Sequence, residues 1–159
     1  MKKFQTEIKW GLIFILSGLV WMVMEKSLGW HDELLEQHAT YTMFYAPIAI
    51  ALYVMALRDK KKTFYHGKMT YLQGLISGLL LTLVVVLLTP LSQYISHEYI
   101  SPDYFLNIRK LSLEKGEMTL EEAEIHFSLM SYIQQSLIFA AFMGVLTSAI
   151  VALFTRSKK

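Results

Sequence analysis

Cysteine is absent from the 159 residues, and only three are proline. Without thiols the chain is neither a disulfide-stapled secreted domain nor a zinc or redox protein built on sulfur. Charge is scarce as well: Asp, Glu, Lys and Arg make up 18% of the chain. A soluble domain of this length needs a polar skin over most of its surface. Enzyme signatures are also missing, since the sequence holds no GxSxG, no phosphate-binding glycine loop and no paired-histidine motif such as HExxH. No cofactor is expected, and a net charge of +2 gives no reason to invoke nucleic acid.

What the chain has is apolar residues, 54% of the total, with a mean hydropathy of +0.39. That excludes a disordered chain. They fall into four blocks, at about 8–28, 41–57, 71–95 and 132–154. A helix needs about 20 residues, and at least about 17, to cross the ~30 Å hydrocarbon core. Spanning segments must satisfy their backbone groups internally, and the alternation of a membrane barrel is absent, so the blocks read as helices. Lys2 and Lys3 before the first block resemble a signal peptide, but no small-x-small cleavage site follows Met24, so it reads as an uncleaved span. The predicted fold is all-α: a single multi-pass membrane domain over 1–159 with four transmembrane helices.

Direction follows from the basic residues. Eleven of the fifteen fall at the N-terminus (Lys2, Lys3, Lys9), in the middle loop (Arg58, Lys60, Lys61, Lys62, Lys68) and at the C-terminus (Arg156, Lys158, Lys159). The positive-inside rule places these segments in the cytoplasm and the other two connections outside. Eleven of the thirteen acidic residues lie on the outer side, so the near-neutral total hides a split of +9 and −7. Arg58, Lys60, Lys61 and Lys62 sit where anionic lipid headgroups would meet them.

The outer connection between the third and fourth spans carries helix signals. Ser101-Pro102 can cap and start a helix, Gly116 can end it, and Thr119 with Glu122 has capping-box spacing. From there the pattern runs without a breaker into the fourth span. The expectation is an extracytoplasmic helical hairpin over about 101–131. In the first outer connection, DELLEQH is a good helix former.

The inner run Gly67-Lys68-Met69-Thr70-Tyr71-Leu72-Gln73-Gly74, leading to Gly78, resembles a recurring element of a family of small bacterial membrane proteins, domain of unknown function 4199. The outer Ile100-Ser101-Pro102-Asp103-Tyr104, followed by a charged helix, Gly116, Met118 and an acidic helix, resembles that family's long connection. The resemblance covers about 8–159. It implies a four-span protein of the bacterial inner membrane and supplies no activity or catalytic residues.

Three groups of residues are candidates for a role. Ala140, Gly144, Ser148 and Ala152 recur every four residues in the fourth span, and the third span carries Gly74 and Gly78, so these small residues are the expected helix-packing seams, within one bundle or in a homodimer. Glu25, Gln93, Gln134 and Gln135 lie near the outer ends of their spans and are the candidates for a polar cavity. The charge-free middle of the membrane argues against an ion-coupled carrier. His31, His38, His97 and His126 lie on the outer side among acids; with Glu122, one helical turn before His126, they are the candidate metal ligands. His31 and His38 are seven apart and need a third partner from another loop.

Three functions follow. The first is a non-enzymatic envelope scaffold, assembly or regulatory protein that meets a protein partner through its acidic outer hairpin. The second is a small transporter, channel or lipid-binding protein with a cavity open to the outer face. The third is an outer-face metal-binding protein.

Overall fold

The computed structural model describes residues 4–157 and is all-helical, with no strand among the described residues. Lys2, Lys3, Lys158 and Lys159, which contribute to the charge asymmetry, lie outside the described residues. Four long helices form the body: α1 (Gln5–Ser27), α3 (Tyr45–Thr63), α4 (Tyr71–Ile95) and α7 (Leu129–Thr155). A short helix, α2 (His38–Tyr41), precedes α3 between two 3-10 turns; the whole stretch Leu35–Thr63 is long and apolar enough to cross a membrane. The same holds for Gln5–Ser27, Tyr71–Ile100 and Leu129–Thr155. The chain is therefore a four-span, multi-pass membrane protein.

The outside of the bundle is apolar. Leu16, Val20, Leu87, Ile138, Phe142 and Phe154 are each more than 60% exposed. In water such a surface would associate, whereas in lipid it is the matching face. The packed interior is small and centred on Trp10, Tyr53, Leu57, Met69, Leu81, Val85 and Ala152. α4 and α7 make the most extensive pair. Their close approach is set by small residues. A Cβ on Gly78 would lie 2.7 Å from Ser148 Cβ, one on Gly74 3.3 Å from Ala152 Cβ, and one on Gly144 would collide with Thr82. Thr82 returns its hydroxyl to the Gly78 carbonyl and meets Tyr53 Oη at 2.9 Å, so the polar atoms of the seam are satisfied inside it.

The segment between α4 and α7 departs from expectation at two points. α4 runs into a π turn, Ser96–Ile100, after which α5 (Tyr104–Glu114) begins at Tyr104. Ser101 does not cap α5, because its hydroxyl lies 3.1 Å from His31 Nδ1. Gly116, with φ +66°, follows α5, and the Thr119–Glu122 capping box starts α6 (Leu120–His126). α6 does not continue into α7. The Arg109 guanidinium donates twice to the Phe127 carbonyl, at 2.9 and 2.6 Å, which takes that acceptor out of the helix ladder. Ser128 then caps a new helix by accepting from the Ser131 N–H. α5 and α6 are in contact across the Gly116 turn.

The bundle thus has two distinct ends. One carries the α1–α3 and α4–α7 connections and is called the hairpin end below; the other carries the α3–α4 loop and is called the lysine end.

Candidate metal centre at the hairpin end

Three side chains converge where α1 finishes. Glu25 sits in its last turn, and Gly29, with φ +77°, reverses the chain immediately after it. The Trp30 N–H donates to the Glu25 carbonyl and the Leu34 N–H to that of Gly29. This turn brings His31 back over the helix end, and the 3-10 turn Leu35–Gln37 delivers His38 beside it. His31 Nε2 and His38 Nε2 each lie 3.4 Å from the same oxygen, Glu25 Oε2. Their three candidate ligand atoms all lie within 4.8 Å of one another. Around a tetrahedral ion with bonds of about 2.0–2.2 Å, neighbouring ligand atoms stand about 3.4 Å apart.

Burial is graded across the trio: the side chains of His31, Glu25 and His38 are 0%, 2% and 18% exposed. Both Nε2 atoms are buried without a hydrogen-bond partner. A buried polar atom without a well-formed hydrogen bond costs on the order of 1–3 kcal/mol, so two imidazole nitrogens held 3.4 Å from one carboxylate oxygen call for an explanation.

Every other polar atom of the trio is held. Trp21 Nε1–H donates to Glu25 Oε1 at 2.7 Å, and Oε2 is the oxygen that faces the two imidazoles. His31 Nδ1 lies 3.1 Å from Ser101 Oγ, and His38 Nδ1 lies 3.2 Å from Tyr104 Oη. Tyr104 Oη in turn lies 3.2 Å from Tyr132 Oη. An imidazole whose Nδ1 carries the proton presents a bare Nε2, the form that ligates. The Tyr104 ring stands edge-on to both imidazoles, with centroids 5.3 Å away. Burial pushes its phenol well above the usual tyrosine range, so it stays a neutral hydroxyl.

The candidate residues separate. His31 and His38 belong to the trio, and their third partner comes from α1, not from another loop. His97 lies behind Tyr104, its ring stacked on Phe105 at 4.3 Å and its Nε2 3.1 Å from Gln93 Oε1. His126 sits edge-on against Phe127, and Glu122 is engaged by Thr119, whose backbone N–H holds its carboxyl below the usual range. Neither is brought to the trio. The expected polar cavity does not assemble. Glu25 joins the histidines, Gln93 donates to Ser136 at 2.8 Å, and Gln134 and Gln135 lie on an exposed face of α7.

At the lysine end, Lys60 is buried and pairs with Glu7 at 2.8 Å, so its ammonium is turned away from the surface where headgroup contact was expected. Arg58 and Lys62 are exposed, and Lys61 donates to the Thr155 carbonyl at 2.9 Å. Asp59 accepts from Trp10 Nε1 at 2.8 Å and pairs with Lys9.

No curated protein and no solved structure is significantly similar to the chain. A family model described as "Protein of unknown function (DUF4199)" matches residues 9–157, nearly the whole length, and four apolar spans fit it. The chain belongs to the family of proteins of unknown function DUF4199.

Proposed function

We propose that this membrane protein binds a first-row divalent metal ion through Glu25 Oε2, His31 Nε2 and His38 Nε2. The observation that carries the reading is the convergence of two buried imidazole nitrogens on one carboxylate oxygen, each at 3.4 Å and without a well-formed hydrogen bond, while the other carboxylate oxygen is held by Trp21. The donor set has two nitrogens, one oxygen and no sulfur. It suits zinc and its neighbours and offers nothing to an ion that demands thiolate. With the lysine end in the cytoplasm, the side that the positive-inside rule favours for it, the centre would lie on the extracytoplasmic side.

The scaffold reading rests on the acidity of the outer connections, and part of that charge is matched locally. Glu36 pairs with Lys115 at 3.0 Å, and Glu122 is spent in its cap. The carrier reading needs a shared polar cavity and gains little support, since Gln93 is engaged by Ser136 and Gln134 lies on an exposed face of α7. The trio supplies three ligands, and a water would complete a tetrahedral shell.

Purified full-length protein, stripped with a chelator and titrated with zinc, tests it. The expected result is one zinc per chain and a thermal stabilisation that grows with free zinc, equivalent to about 2.7 kcal/mol at a hundred times Kd. Glu25→Gln and His38→Gln should each abolish both effects while keeping the helical content. Absence of stoichiometric zinc from the wild type would overturn the reading.

A further inference from the structure

The three ligands come from one short piece of chain, but the atoms that orient them come from elsewhere. Glu25, His31 and His38 span the end of α1 and the first connection. The groups on their far sides, Ser101 and Tyr104, belong to the second connection, and Tyr132 lies in the first turn of α7. Asn107 of α5 adds a direct tie, donating to the His31 carbonyl at 3.1 Å and to Asp32 Oδ1 at 2.8 Å. An ion held by the trio therefore acts on two connections, one through ligation and one through the imidazole Nδ1 atoms.

We infer that metal occupancy works as a clamp that fastens the second connection, through Ser101 and Tyr104, onto the first. This rests on the metal-binding reading above and adds to it what binding does. The physical step is the choice of tautomer. A metal bound at Nε2 requires the proton of each neutral imidazole to sit on Nδ1. His38 Nδ1–H then donates to Tyr104 Oη, and Tyr104 O–H donates onward to Tyr132 Oη. His31 Nδ1–H likewise donates to Ser101 Oγ. The direction of every bond in the chain is fixed by the ion.

Without the ion, each neutral imidazole can move its proton to Nε2 and point it at Glu25. Nδ1 becomes an acceptor, and the same contacts survive only if Ser101 and Tyr104 turn their hydroxyl protons round. Two arrangements then compete at each ring, so the tie between the connections loosens. The neighbouring structure suits such a coupling. The π turn Ser96–Ile100 leads straight into Ser101, and a turn of that kind breaks the α-helical ladder before the site. Tyr104 is 3% exposed and is surrounded by the rings of His31, His38, His97 and Tyr132, so a change at His38 meets a packed neighbour and not solvent.

Hydrogen exchange on the full chain in detergent micelles, with and without saturating zinc, tests the clamp. The variant is Ser101→Ala with Tyr104→Phe, which keeps all three ligands and the ring packing but removes both hydroxyls. In the wild type, zinc should slow exchange at least tenfold in residues 28–44 and also in 101–114. In the variant, zinc affinity should fall by about ten- to a hundredfold, as for lost outer partners of metal ligands. At saturating zinc, protection should still appear in 28–44 but no longer in 101–114. The ¹⁵N shifts of His31 and His38 supply a second readout: zinc should leave both as Nδ1–H tautomers. If zinc binds stoichiometrically in the wild type but protects 28–44 alone, the clamp is wrong and the metal reading stands. If zinc does not bind, both fail together. If the variant keeps the zinc-dependent protection of 101–114, the hydroxyls are not the coupling and the inference is overturned.

Discussion

Single side chains at each end of the bundle carry charge into places that an apolar helix would not choose. The Glu7–Lys60 pair is the plainest case. Both side chains are 4% exposed, and their contact is 2.8 Å. A buried pair of this kind adds little net stability over an apolar replacement, but breaking it leaves an uncompensated charge. Lys60→Met should therefore destabilise the protein by about 3–5 kcal/mol, and Glu7→Leu combined with Lys60→Met should recover most of the loss. Chemical unfolding in micelles measures both, and equal destabilisation by the single and the double variant would refute the argument. The sequence reads Lys60 as a topology charge and a headgroup contact, because the side of the helix on which a lysine lies is invisible until the partner helix is placed. Glu25 was visible as an unusual acid near the end of a span, and His31 and His38 as an acid-flanked pair. That they meet was not legible. The seven-residue spacing suggests two turns of helix, whereas a reversal at Gly29 precedes His31 and a 3-10 turn, Leu35–Gln37, leads into His38. Two short-range departures from the α-helix build the trio, and periodicity carries no signal for such geometry.

The long helices follow from their composition, and their contacts follow from small residues. α4 begins and ends where its apolar block does, at Tyr71 and Ile95, because Thr70 and Gln73 form a capping box at its start. The α4–α7 seam is sensitive to volume. Gly144→Ala would press a methyl into Thr82, and Gly78→Ala would press one into Ser148, so each should cost about 1–3 kcal/mol. Gly116→Ala is a different case. Its Cβ would meet nothing within 4 Å, and the cost would be confined to the backbone at φ +66°. Thermal unfolding of the three variants separates a collision from a turn penalty. The cap of α6 adds a pH dependence. The folded-state value of Glu122 is lowered by the Thr119 backbone N–H and hydroxyl. Its stabilisation is complete above the ordinary value of 4.5 and is lost as pH falls through the lower folded-state value. Helical chemical shifts of residues 120–126 should therefore decay on acidification below the ordinary carboxylate value, and Thr119→Ala should remove that transition. The sequence carried the stop at Gly116 and the restart at Thr119 through residue type alone. It did not carry the break at Phe127, which depends on Arg109, eighteen residues away.

Over the whole molecule, the two polar clusters mark the limits of the apolar layer. Glu7 and Glu25 lie on one helix, eighteen residues apart, which at 1.5 Å per residue is about 27 Å. That is close to the ~30 Å thickness of a hydrocarbon core, so both acids can sit near its edges while α1 crosses it. The orientation is open to a direct check, because a chain with no cysteine of its own accepts single reporters. In intact cells, an impermeant maleimide should label Glu33→Cys and Glu117→Cys and spare His66→Cys, which lies on the α3–α4 loop. The reverse pattern would invert the topology and place the proposed metal centre in the cytoplasm. One further consequence belongs to the π turn. A five-residue turn holds one residue more than α-helical winding needs, so it acts as a phase shift between the membrane part of the third span and everything that follows. Each residue of an α-helix advances the chain by about 100°. Deleting Tyr99, which is 71% exposed, would restore plain winding and rotate the start of α5 by roughly that angle, carrying Ser101 and Tyr104 off the imidazoles they face. The extra residue is thus an angular setting, and it tunes a site to which it contributes no atom.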